Sequence, residues 1–256
     1  MKKILSICVI LVLLVVVPVF AQDTDVATLM AKGDSLADIW DHEGAAIAYM
    51  GALKMDPTNY ELLWKAGDQY TEIADALPKS EKKQKETYFE KARELCDRAI
   101  ESNPDGYEGH FRLAVALGRL ALFRGGKEKI KLSKLIKAEG DKAVELNPQA
   151  DLAYHLLARW HQNLANLSGL LKFFANTFFG GLPPASNEEA VELFQKAISI
   201  DPNHIEHHLE LAKTYEFMKK KELMRKPLET VLSLPNVEED DPEFKDEAKE
   251  LLKKLK

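Results

Sequence analysis

The sequence predicts an all-α fold: a solenoid of about five antiparallel helix pairs, several with elongated hairpins, closed by a C-terminal capping helix. Three observations carry this. A small–bulky–small motif followed by an Asp-Pro or Asn-Pro stop recurs along the chain, most clearly as Ala190, Phe194, Ala197 and Asp201-Pro202. Apolar residues keep a spacing near 3.6 from end to end, with no alternating strand pattern. The last stretch, Pro242 to Lys256, gathers Phe244, Ala248, Leu251, Leu252 and Leu255 on one face and charges on the other, as an end cap requires.

The motif has three other copies: Ala45-Tyr49-Ala52-Asp56-Pro57, Ala92-Cys96-Ala99-Asn103-Pro104 and Ile136-Gly140-Ala143-Asn147-Pro148. The small residues lie two turns apart and let a neighbouring helix approach, while the bulky one fills the gap between them. Proline then steers the residue before it out of the α region and ends the helix. This pattern resembles the second helix of a tetratricopeptide repeat, a two-helix unit of roughly 34 residues that stacks into a right-handed solenoid.

Taken in order, Met1 to Ala21 reads as a signal peptide. Lys2 and Lys3 precede the apolar run Ile4 to Val17, which is shorter than the ~20 residues a spanning helix needs. Val19-Phe20-Ala21 offers small residues for cleavage before Gln22. The expectation is export to the periplasm or outside the cell, with a helical repeat domain over residues 24–256. No cysteine follows the cut, so no lipid attachment is expected there.

The full chain has a net charge of −6, and losing the two leader lysines makes it more acidic, which argues against a nucleic-acid partner. Of its 2 cysteines, Cys8 lies in the leader. Cys96 is left alone between two alanines and reads as a buried core thiol.

The first repeat spans about Val26 to Pro57, with Leu29, Gly33 and Leu36 on the packed face and Asp41-His42-Glu43 at the turn. The second opens on Tyr60, Leu63, Ala66, Gly67 and Tyr70; Pro78-Lys79-Ser80 breaks it, and charge-laced Glu81 to Lys91 reads as a helical extension. In the third, Phe111, Ala114 and Leu117 lead to a Gly125-Gly126 turn and the locally basic Lys127, Lys129, Lys131, Lys134 and Lys137, read as a solvated face. A headgroup or anion contact is the sharper reading of the same lysines.

The fourth repeat is the longest. From Ala153 through Trp160 to Gly180-Gly181 no strong breaker appears, which predicts one helix of about 28 residues spanning some 42 Å. Its far end, Leu170 to Phe179, holds Phe173, Phe174, Phe178 and Phe179. Pro183-Pro184 stiffens the tip, and Ser186-Asn187-Glu188-Glu189 is a capping box that restarts the helix. The fifth repeat, carried by His208, Leu211, Ala212, Tyr215, Leu228 and Val231, ends at Leu234-Pro235.

A narrower resemblance runs over most of Tyr60 to Lys256. Arg159-Trp160-His161, Leu164-Ala165-Asn166-Leu167-Ser168, Phe179-Gly180 with Pro183-Pro184, Leu234-Pro235, and Glu247-Ala248 with Leu251-Leu252 resemble the signature of the regulator-of-microtubule-dynamics family. Gly169 stands where that pattern has tryptophan. The resemblance implies a tetratricopeptide-like domain without catalytic residues or cofactors. Some eukaryotic members associate with microtubules, others tether membranes or bind lipid, and bacterial relatives include accessory proteins of solute transport. An export signal argues against microtubules as the partner here.

No Walker loop, nucleophile elbow, His-Glu-x-x-His or paired-cysteine zinc spacing is present. His204 and His208 are four apart and could share a helix face toward a metal, although polar residues are ordinary after a helix-stopping Asp-Pro. The leading expectation is therefore a non-enzymatic scaffold for a protein partner. The alternative is a small-ligand or lipid-binding module, or a transport accessory protein, using an apolar pocket near the fourth hairpin. The candidate site comprises Arg159, Trp160, His161, Lys172, Phe173, Phe174, Phe178 and Phe179. Where the phenylalanines point decides between the two.

Overall fold

A computed structural model describes residues 25–178 and 181–255, the side chains of Phe174 and Phe178 excepted. The leader Met1–Ala21 and Phe179 lie outside the described residues. Among the described residues there are twelve α-helices and no strand. In order they are α1 (Val26–Ala37), α2 (His42–Leu53), α3 (Tyr60–Ala76), α4 (Lys82–Ser102), α5 (Tyr107–Leu120), α6 (Gly126–Leu146), α7 (Asp151–Ala165), α8 (Gly169–Phe178), α9 (Asn187–Ile200), α10 (Ile205–Phe217), α11 (Lys221–Ser233) and α12 (Asp241–Lys253). The hairpins are α1/α2, α3/α4, α5/α6, α7/α9 and α10/α11, with α12 packed on the last pair.

The recurrent motif works as its chemistry predicts. Ala45, Ala52, Ala92, Ala99, Ala190 and Ala197 are completely buried, with Tyr49, Cys96 and Phe194 wedged between them. Gly67 lies so close to the second helix of its hairpin that a Cβ there would come within 2.7 Å of Cys96 Sγ. Asn103, Asn147 and Asp201, each before a proline, leave their helices in the extended region (ψ 91°, 91° and 96°). Helix starts are capped by side chains that accept otherwise orphaned N–H groups: Asp41 from Gly44 (2.9 Å), Asn59 from Leu62 (3.1 Å) and Ser186 from Glu189 (3.1 Å).

The core is a series of slices between neighbouring hairpins. One slice joins Tyr49, Leu53, Leu62 and Leu95, another Phe89, Leu113, Leu117 and Trp160, and the last Leu209, Met224, Leu228 and Leu251 beneath the cap. Lighter contacts also run from first helix to first helix, α3 to α5, α5 to α7 and α7 to α10, then on to α12. None of comparable extent joins two second helices among the described residues. Crowding of the first helices makes theirs the concave layer.

The inserts behave differently from one another. In the second hairpin both helices are long, at 17 and 21 residues. In the third only the returning helix is, 21 residues against 14 plus a 3-10 turn over residues 121–123. In the fourth, the single long helix predicted from the sequence is wrong. α7 stops at Ala165, because Asn166 turns its own side chain back onto Gln162 O (2.7 Å) and exchanges hydrogen bonds with Asn187. Ser168 then opens a new helix by accepting Leu171 N–H (3.3 Å), and the insert becomes a separate α8 rather than a longer hairpin.

Candidate interaction surfaces

Charged residues on the concave layer pair from one first helix to the next. Lys65 meets Asp34 at 2.8 Å, Arg112 meets Asp68 at 2.6 Å and Arg119 meets Asp75 at 2.7 Å. Farther along, Arg159 bridges to Glu206 (3.2 Å) and Glu210 (2.8 Å), and Lys213 joins Glu210 to Glu247 on α12 (2.9 and 3.0 Å). The more solvated of these, such as Arg119 with Asp75, contribute little, about 0–1 kcal/mol each. The Arg159 pair differs, since the Glu210 side chain is only 3% exposed. Arg159→Met is expected to cost about 2–3 kcal/mol in urea unfolding, because it strands a buried carboxylate with Lys213 as sole counter-charge. A loss below about 0.5 kcal/mol would contradict that assignment.

Behind Arg159 sits a histidine cluster that links hairpins four and five. His207 is fully buried; its Nε2–H donates to Asp151 Oδ2 (3.0 Å), and its Nδ1 lies 2.9 Å from His155 Nδ1. With the Nε2 proton committed to Asp151, neutral His207 accepts at Nδ1 and His155 donates. Burial, then His155 and His204, push the His207 pKa down to about 4, against the pull of Asp151. Burial alone would raise Glu206, yet His155, Arg159 and His204 hold its carboxyl well below the usual range.

The His204/His208 metal pair is not formed as the spacing suggests. His204 is the N-cap of α10, outside the helix, and its ring faces His207 with centroids 4.2 Å apart. His208 directs Nε2 to Pro202 O (2.8 Å), as His110 does to Pro104 O (2.9 Å) two hairpins earlier. Both are structural ties between a helix and the turn before it. Among the described residues no group of three or more His, Cys, Asp or Glu could hold a metal ion.

The sequence-derived site residues fall in three places. Arg159 is on the concave layer. Trp160 is core, 4% exposed, its indole N–H donating to Ser133 O (2.8 Å) under the Lys137 ammonium. His161 is also buried, its Nδ1 3.0 Å from Glu189 Oε2, and burial pushes its pKa down. Lys172 donates to Ala165 O (2.7 Å), placing its charge at the C-terminus of α7. Leu170, Leu171 and Phe173 on α8 are 65, 55 and 60% exposed, while Ala175 turns inward. The side chains of Phe174 and Phe178, and Phe179, lie outside the described residues.

α8 packs on α6, whose Lys127, Lys129, Lys131 and Lys134 are exposed. The cleft beside it, lined by Leu164, Lys172, Asn176, Leu182, Pro183 and Ala185, holds about 210 Å³. That is below the ~300–1,000 Å³ typical of enclosed ligand pockets. Leu170 and Leu171 do not stand out in the sequence, because a continuous helix through Ser168 would turn them differently. No helix among the described residues is long and apolar enough to cross a membrane.

A curved stack of helix hairpins with a charged concave layer and a polar-backed cap defines a tetratricopeptide-type α-solenoid. The solved structures agree: a thermophilic TPR protein of Thermus thermophilus, TTC0263, superposes with a TM-score of 0.67 at 14% identity, covering 89% of this chain and 98% of that one. A crystal structure of MamA protein superposes with a TM-score of 0.50 at 20% identity, over 86% and 95% of the two chains. The chain belongs to the Regulator of microtubule dynamics protein 1-3 family, whose profile matches residues 29–256. Regulator of microtubule dynamics protein 1 of Bos taurus is 31% identical over 194 residues, 75% of this chain and 61% of that protein. Protein 2 of Homo sapiens is 28% identical over 197 residues, 77% and 48%. The chain thus spans about half to three fifths of the length of these relatives.

Proposed function

We propose that the protein is an exported, non-catalytic scaffold that holds a protein partner, and that the partner docks on α8 and the adjoining basic face of α6. The observation that carries this reading is the exposure of Leu170, Leu171 and Phe173 on one ten-residue helix. A chain that buries its apolar residues between hairpins normally leaves no such cluster outside unless something covers it. Lys127, Lys131 and Lys134, exposed along one side of α6, fit a partner segment with apolar anchors and acidic flanks. The tetratricopeptide-type fold and the family support a scaffold role. Export rests on the leader pattern Met1–Ala21, and an exported chain would not meet microtubules.

Native mass spectrometry of protein purified from its own host identifies the partner. The double variant Leu170→Asp/Leu171→Asp is then expected to weaken its binding about tenfold or more, with the thermal midpoint within about 2 °C of the parent, since both side chains lose little burial. Unchanged affinity would overturn the site.

A further inference from the structure

The two ends of the solenoid touch. His42, the first residue of α2, places Nε2 3.1 Å from Glu239 Oε2, 197 residues later, and Nδ1 2.9 Å from Gln69 Oε1 on α3. A carboxylate and an amide oxygen can only accept. With Gln69 turning Oε1 to the ring, satisfying both partners takes a proton on each nitrogen, the imidazolium form. The contact is built on the opposite side as well. Asp241, 3% exposed, accepts Val237 N–H (2.7 Å) and Glu238 N–H (2.8 Å), which fixes the linker between α11 and α12 in a turn that presents Glu239. The next residue, Asp240, feels both Asp75 at the end of α3 and Glu206 at the start of α10. The linker therefore sits where the first, second and fifth hairpins converge.

We propose that His42 and Glu239 form a proton-operated latch that ties the C-terminal linker to the N-terminal hairpin and closes the mouth of the concave layer. The latch is a property of the chain alone and does not rest on the docking site on α8. The charged groups around it agree in sign. Burial disfavours the His42 cation, but Gln69, Glu239 and Glu72 outweigh it and raise the pKa above the ordinary imidazole value. Glu72, facing the ring from α3, is pushed up to about 7 by burial and by Asp68 and Asp75, with His42 and Arg112 opposing. α1 turns Asp34 and Asp38 toward Tyr49 instead, and Asp41 is engaged by Gly44 N–H. The raised His42 pKa keeps the ring protonated and the latch closed in mild acid. As pH rises past neutrality, ionised Glu72 delays but does not prevent the loss of the His42 cation. The closed form is then lost.

Spin labels at Glu43→Cys and Asn236→Cys, both exposed positions, read the gap directly once Cys8 is changed to Ser, while buried Cys96 stays unlabelled. In the full chain a short distance is expected to dominate at about pH 6, and its population to fall about threefold or more by about pH 8.5. Glu239→Ala, at an exposed residue, should remove the short distance at both pH values with the circular dichroism spectrum unchanged. Glu72→Gln should keep the response and move its midpoint downward, because it removes an anion that helps hold the His42 cation. Distances that ignore pH in the parent, or that survive Glu239→Ala, would overturn the latch. A response abolished by Glu72→Gln would overturn it too, by assigning the sensor to Glu72.

Discussion

Phe194→Ala is expected to destabilise the protein by about 3–5 kcal/mol, the usual cost of emptying a fully buried aromatic site. The ring has no exposed surface and fills the space between Ala158, Ala190 and Leu211, with the edge of His155 at a centroid distance of 5.3 Å. Alanines and helix backbone cannot collapse into the void. In a solenoid each hairpin is stabilised chiefly by its neighbours, so the loss should be concentrated at the joint between hairpins four and five. Urea unfolding should show a lower midpoint and a broadened transition, with hydrogen exchange in α10, α11 and α12 accelerated before that in α1 to α4. A cost below about 1 kcal/mol, or uniform acceleration along the chain, would contradict the packing described.

Acid should act at the same joint. The unfolded chain binds a proton at His207 near the ordinary imidazole pKa of 6.5, whereas the folded site resists until about 4. A depressed folded pKa means that stability is present above 6.5 and lost as pH falls toward 4. The difference amounts to roughly 3 kcal/mol. Glu206, held below its usual range by His155, Arg159 and His204, has the same sign and extends the loss to lower pH. His207→Gln retains a donor for Asp151 and is expected to flatten the pH 6.5 to 4 limb of the stability curve, even if it lowers the plateau. An equally steep limb in that variant would assign the acid sensitivity elsewhere.

Much of this architecture is written in short-range chemistry. Ala190, Phe194 and Ala197 with Asp201-Pro202 encode a packed helix and its stop within one stretch, and the same grammar places Tyr49 and Cys96. Ser186 with Glu189 likewise announces α9. The break after Ala165 is not legible locally, because Asn166 and Ser168 are tolerated inside helices. They become a stop and a start only when Asn187, 21 residues away, answers the Asn166 amide. The histidine cluster is half visible: His204 and His208 stand out by their spacing, but the working partner is His207, joined to His155 across 52 residues. His42 with Glu239 lies beyond any local pattern, since only the curvature of the whole stack brings them together. Among the site residues, Arg159 and Trp160 stand side by side in sequence yet serve the concave layer and the core, because successive helix positions point about 100° apart.

The direct test of the scaffold reading is a photoactivatable residue placed at Leu171, with the same residue at exposed Glu192 on α9 as the control. Irradiation of the full-length chain in its own host should give one discrete protein adduct from position 171. That adduct should be absent from position 192 and lost when Leu170 is changed to Asp. Equal labelling from both positions, or a position-171 adduct that survives Leu170→Asp, would show that α8 is not where the partner binds.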